Sequence, residues 1–169
     1  MKKLPLGTAR NFRVLVLIFA LLGSGCSGPT VDLKQALQIN VVDTGWFDAG
    51  LVDGKNKLVP TISFTVKNVS DRKLVSLQMM ASFFRVSDTN SEWGNTLLNV
   101  AGSEGLAPGA TTPTLTMKSP LGYTGTDPRA DMLKNAAFVD ATVKLFAKYG
   151  PVQWTPIGEY KVERRLIAQ

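Results

Sequence analysis

Across residues 139–148, Val139, Ala141, Val143, Leu145 and Ala147 alternate with Asp140, Thr142, Lys144, Phe146 and Lys148. Successive side chains of a strand point to opposite faces, so this spacing builds one apolar face and one largely wet face. A helix would scatter the same residues around its circumference. The chain must therefore bury one side of a sheet. The same period recurs upstream, where Ile62, Phe64 and Val66 alternate with Ser63, Thr65 and Lys67. Val75, Leu77, Met79, Ala81 and Phe83 form the apolar set of a longer strand over residues 74–86.

Other strands are read at residues 39–43, continuing past a bend at Gly45 to Leu51, then at 93–101 and 114–118. The last strand places Trp154, Tyr160, Val162 and Leu166 on one side, against Lys161, Glu163 and Arg165. Turn-forming residues separate these runs: Asp53-Gly54-Lys55-Asn56-Lys57, Asn68-Val69-Ser70-Asp71, Leu106-Ala107-Pro108-Gly109-Ala110 and Gly150-Pro151. Only residues 126–135 break the pattern. Thr126 or Asp127 as a cap, Pro128 in the first turn and Asn135 as a stop predict a short crossover helix over one end of the fold. Seven or eight closely spaced strands with one such helix predict a mostly β chain, a single immunoglobulin-like β-sandwich over residues 38–169.

The start of the chain has a different character. Lys2, Lys3, Arg10 and Arg13 precede the apolar run Val14-Leu15-Val16-Leu17-Ile18-Phe19-Ala20-Leu21-Leu22, and Gly23-Ser24-Gly25-Cys26 follows. Basic, apolar and small residues in that order read as an export signal over residues 1–25, with a tether over 26–37. A bilayer-spanning helix needs roughly 20 apolar residues, and this run is shorter. The four residues ending in Cys26 resemble a bacterial lipobox, with Gly23 where a Leu-like residue is usual. The resemblance implies acylation of Cys26, the only cysteine in the chain, and a lipid anchor in a bacterial cell envelope facing the periplasm.

Removing the signal also removes most of the basic excess. The chain holds 19 Lys and Arg against 13 Asp and Glu; without the four basic residues before Cys26, 15 face 13, a net charge of +2. Nucleic-acid binding, which leans on a strong basic balance, is not expected.

Catalytic patterns are scarce. The chain has no histidine, which excludes Ser-His-Asp and Cys-His nucleophile arrangements and His-based zinc sites. The Asp53-Gly54-Lys55-Asn56-Lys57 segment spaces oxygen donors closely, but its two lysines oppose a cation and it reads as a hairpin turn. Asp127 and Asp131 read as helix-end carboxylates. No enzyme activity, cofactor or metal is expected.

Val66-Lys67-Asn68-Val69-Ser70 with Leu74 downstream, the strand ending Phe83-Phe84-Arg85-Val86, and Leu106-Ala107-Pro108-Gly109 resemble FxLYD-type sandwich domains of bacterial envelope proteins. Gly122-Tyr123-Thr124-Gly125, Phe138-Val139-Asp140-Ala141, Phe146-Ala147-Lys148 and Arg165-Leu166-Ile167 are similar to a pattern in uncharacterised bacterial lipoproteins. These resemblances imply a non-catalytic interaction or accessory subunit with an envelope protein as partner. A small-molecule or glycan-binding module on exposed tryptophans is the alternative, and a carboxylate-based hydrolase a further one. For partner contact, the loop bearing Gly122, Tyr123 and Gly125 is the first candidate, since binding residues concentrate on loops held by rigid scaffolds. Tyr123 either projects as an anchor or folds back over the sandwich end. Arg164 and Arg165 are the second candidate, facing either an anionic surface or solvent.

Overall fold

The two-residue turn Asp53-Gly54 sets the first hairpin. Both residues have positive φ, 51° and 73°, as in the type I′ turns whose twist matches that of paired strands. The turn is thus tighter than the five polar residues suggest, and β1 (Leu37–Val52) pairs antiparallel with β2 (Lys55–Asn68). The structure is a computed structural model describing residues 31–167; Cys26 and the signal segment lie outside the described residues.

β1 runs through Gly45 without the expected bend. Its irregularities fall instead between Val41 and Asp43 and between Asp48 and Leu51. An extra residue in one strand turns its side chain away from the alternation, and Val42 is 55% exposed while Trp46 is fully buried. In β2, Leu58, Ile62, Phe64 and Val66 are all fully buried.

The remaining strands are β3 (Leu77–Arg85), β4 (Asp88–Ala101), β5 (Leu115–Lys118), β6 (Tyr123–Gly125), β7 (Ala141–Tyr149) and β8 (Thr155–Lys161). They form two antiparallel sheets: β1-β2-β5, with β6 also on β2, and β4-β3-β7-β8. This is an eight-stranded β-sandwich with immunoglobulin-like strand order. Leu77, Met79, Ala81 and Phe83 of β3 meet Ala141, Val143, Leu145 and Ala147 of β7 on the inner face, none with measurable exposure. Val75 lies outside this set, because Ser76 at φ 53° breaks the alternation before β3 begins.

Both helices are single turns. In α1 (Leu33–Ala36), Asp32 Oδ1 accepts from Lys34 N at 3.0 Å as a cap. Leu33 and Ala36 are buried, so the core begins within residues read as tether. The crossover helix contracts to α2 (Arg129–Met132), with Pro128 at its start and no side-chain cap. The Asp127 side chain is turned to Asn135, whose Nδ2 donates to Asp127 Oδ2 at 3.4 Å, and its backbone oxygen accepts from Asn56 Nδ2 at 2.9 Å.

One buried side chain joins two turns of the sequence. Asn68 Nδ2 donates to Arg72 O (2.7 Å) and Leu106 O (2.9 Å), and Asn68 Oδ1 accepts from Ser70 N (3.0 Å) and Ser70 Oγ (2.6 Å). Its backbone bonds Ala110 and Gly109. The Asn68-Val69-Ser70 turn and the Leu106-Ala107-Pro108-Gly109 corner are thus one structural unit, with each polar atom of the buried amide satisfied.

Candidate functional site

The Gly122–Gly125 loop is bound into the sandwich. Tyr123, Thr124 and Gly125 form β6, pairing with Leu58, Lys57 and Asn56, a strand where sequence reads only a loop. The backbone at Gly122 passes so close to the Leu58 carbonyl that a Cβ there would overlap it, and would lie 2.9 Å from Val59 Cγ1. Gly125 faces Met132, whose Cε would be 3.3 Å from an added Cβ. Lys57 Nζ donates to Pro120 O at 2.9 Å.

Tyr123 folds back over the sandwich end. Its ring is half-buried and meets Phe138 edge-on at 4.8 Å between centroids; Phe138 meets Trp46 at 4.5 Å, and Trp46 meets Trp93 at 6.1 Å. Such tilted contacts suit the ring quadrupoles. Two guanidinium groups cap this row, Arg85 over Trp93 at 5.0 Å and Arg164 over Phe138 at 5.3 Å. Leu121, at 51% exposure, is the large apolar side chain this loop leaves in water.

Arg164 and Arg165 are paired rather than free. Arg164 holds Asp140 at two points, Nε to Oδ1 at 2.5 Å and Nη2 to Oδ2 at 2.9 Å, and reaches Phe138 O at 3.3 Å. The bonds from Arg164 hold the Asp140 carboxyl below its ordinary pKa, and the same bonds raise that of Arg164. Arg165 pairs with Asp43 on β1. Expecting Leu166 to line up with Tyr160 and Val162 assumed a strand running to the end; β8 stops at Lys161 and residues 163–167 cross to the other sheet. There Trp46 N donates to Arg165 O at 2.8 Å and Ile167 N donates to Trp46 O at 3.1 Å. Leu166 forms a parallel bridge with Trp46 and is 39% exposed.

The other carboxylates are dispersed. Asp48 pairs with Arg129, whose hydrogen bond lowers the Asp48 pKa, and Asp131 pairs with Lys134. Among the described residues, no group of three or more Asp, Glu, Cys or His is placed to hold a metal ion. Two of the three tryptophans, Trp46 and Trp93, are buried, and Trp154 is half-buried with Lys148 over its ring at 5.9 Å.

The outer face of the second sheet carries the features that alternation hides. Phe146, in the polar phase of β7, is flanked by Met80 of β3 and Pro156 of β8, and Met80 is opposite Leu97 of β4. A row of four apolar side chains therefore crosses all four strands. On one side of it Lys34, Phe146, Pro156 and Ile157 line a shallow groove of about 340 Å³. On the other, Gln78, Leu97, Leu98 and Asn99 line a depression of about 280 Å³. The sequence signal was present in Phe146 among polar neighbours and in the adjacent Leu97-Leu98.

No protein-family model matches this sequence, and no curated protein matches it. Among solved structures, the chain is similar to a Northeast Structural Genomics Consortium target, SoR45, known from an X-ray structure. The match has 11% identity over 77% of this chain and 88% of that one, with a TM-score of 0.44.

Proposed function

We propose that the chain is a lipid-anchored protein of the bacterial envelope, whose β-sandwich serves as a non-catalytic interaction or accessory subunit. The order of residues at the start of the sequence carries this reading: basic residues, nine apolar residues, then Gly23-Ser24-Gly25-Cys26. The chemistry is consistent with it. One acyl chain binds membranes marginally, whereas several hold a protein firmly. Val31 is already packed against the core, so the four residues between Cys26 and Val31 can span about 17 Å at full extension. A sandwich on so short a tether stays beside the membrane, where its partner would also be.

The charged groups nearest the candidate loops support a binding role more than a chemical one. Asp43, Asp48 and Asp140 each face an arginine, an arrangement that fixes loops in place. Replacing Cys26 tests the reading. A Cys26→Ser chain should leave the membrane fraction and lose incorporation of a fatty-acid probe. Continued membrane association with unchanged mobility would refute the anchor.

A further inference from the structure

The sandwich guards its sheet edges unevenly. Unpaired strand edges invite pairing with another chain, and proteins blunt them with short strands, prolines, lysines or bulges. β1 has two irregularities, and Arg165 and Ile167 take the backbone groups of Trp46. β5 and β6 are four and three residues long. β8 contains Pro156 and an irregularity opposite Phe146. β4 is different. It has 14 residues without a proline, lysine or arginine, and among the described residues it pairs with β3 alone. Its pairing with β3 has three irregularities, all outside a central stretch, and is regular over residues 94–99, opposite 78–83.

The outward side chains of that stretch read Asn95, Leu97, Asn99, the same in both directions. Leu97 is 63% exposed. Asn95 Nδ2 donates to Glu92 Oε1 at 2.5 Å, and Asn99 Oδ1 accepts from Gln78 Nε2 at 3.0 Å. Among the described residues this leaves Asn95 Oδ1 as an acceptor and Asn99 Nδ2 as a donor, both without a side-chain partner.

We infer that β4 pairs antiparallel with β4 of a second copy of this chain, with Leu97 opposite its counterpart. A two-fold interface needs a self-complementary surface, and this register provides one. Asn95 meets the second copy's Asn99, so the free acceptor of each faces the free donor of the other. Glu92 falls opposite Gly102, and no carboxylate faces another. The apolar row through Met80 and Phe146 continues across the junction, and the two four-stranded sheets become one of eight. This pairing is independent of the lipid anchor.

The test uses the full chain. Sedimentation should give twice the monomer mass, falling twofold in Leu97→Lys, where two ammonium groups would oppose each other; circular dichroism should be unchanged, since the side chain lies in water. A second measurement stands apart from that variant. In a Cys26→Ser background, which removes the native thiol, Leu97→Cys should oxidise to a linked dimer, because directly opposite Cβ atoms lie about 4.5–5.5 Å apart. Gln38→Cys, exposed on β1, should give no linked dimer. A monomeric chain would overturn the inference. So would association that survives Leu97→Lys without cross-linking at position 97, since that points to another surface or an unrelated strand as occupant.

Discussion

Arg164 and Arg165 are adjacent in the chain, yet they bind carboxylates of opposite sheets. Arg164 takes Asp140, at the entry to β7, and Arg165 takes Asp43 on β1. Two consecutive side chains thus fasten the second sheet to the first at the end where Phe138, Tyr123 and Trp46 meet.

The Arg164–Asp140 pair makes stability depend on pH in a defined direction. Hydrogen bonds from Arg164 lower the folded-state pKa of Asp140, while in the unfolded chain an Asp titrates near about 3.9. Stabilisation is therefore present above that value and lost as pH falls through the lowered folded pKa. Arg164→Gln should unfold at lower urea than the parent at neutral pH. The two midpoints should converge as pH drops well below 4. A difference constant with pH would show that the contribution comes from packing over Phe138 instead.

Asn68 should be costly to lose. Asn68→Ala strips partners from Ser70 and from two carbonyls in a buried site, and a loss of about 2–4 kcal/mol is expected, since unsatisfied buried groups cost about 1–3 kcal/mol each before relaxation. Asn68→Asp keeps the bonds from Ser70 but turns a carboxylate oxygen toward Arg72 O and Leu106 O, and it should be at least as destabilising. Thermal melts of both variants check the pair. An alanine variant that melts with the parent would remove Asn68 as the link between the two turns.

Two glycines should respond differently to the same methyl group. At Gly54 nothing lies within 4 Å of an added Cβ, but φ is 73°, so Gly54→Ala carries only the left-handed penalty of about 1–2 kcal/mol. At Gly122 the methyl meets the Leu58 carbonyl and Val59. Overpacking typically costs about 1–3 kcal/mol, and here a strand would have to move, so Gly122→Ala should lie at or above the upper end. Urea titration of the two variants ranks them. The reverse order would mean that β6 is loosely held.

The inner faces of β3 and β7 were legible because apolar side chains at every second position leave one arrangement that buries them. Other elements had no such cue. β6 is three residues long amid glycine and proline, and its place comes from β2 rather than from its own pattern. Leu166 was misplaced by continuing an alternation across a change of sheet. At the candidate surfaces, sequence identified Tyr123, Arg164 and Arg165 as residues with contacts to make. It offered the fold-back of Tyr123 as one reading but did not name the partners, because Phe138, Asp140 and Asp43 reach these residues only through the fold. Leu97 was hidden because Leu98 beside it occupies the inward phase.

The parallel course of residues 165–167 beside β1 has a mechanical consequence. A pull applied across the domain between its two ends would run along both segments. The two hydrogen bonds at Trp46 and the Arg165–Asp43 ion pair would then bear load together, in shear, whereas a hairpin opened from its turn breaks one bond at a time. Resistance to stretching would accordingly reside in this short seam between residues more than a hundred positions apart.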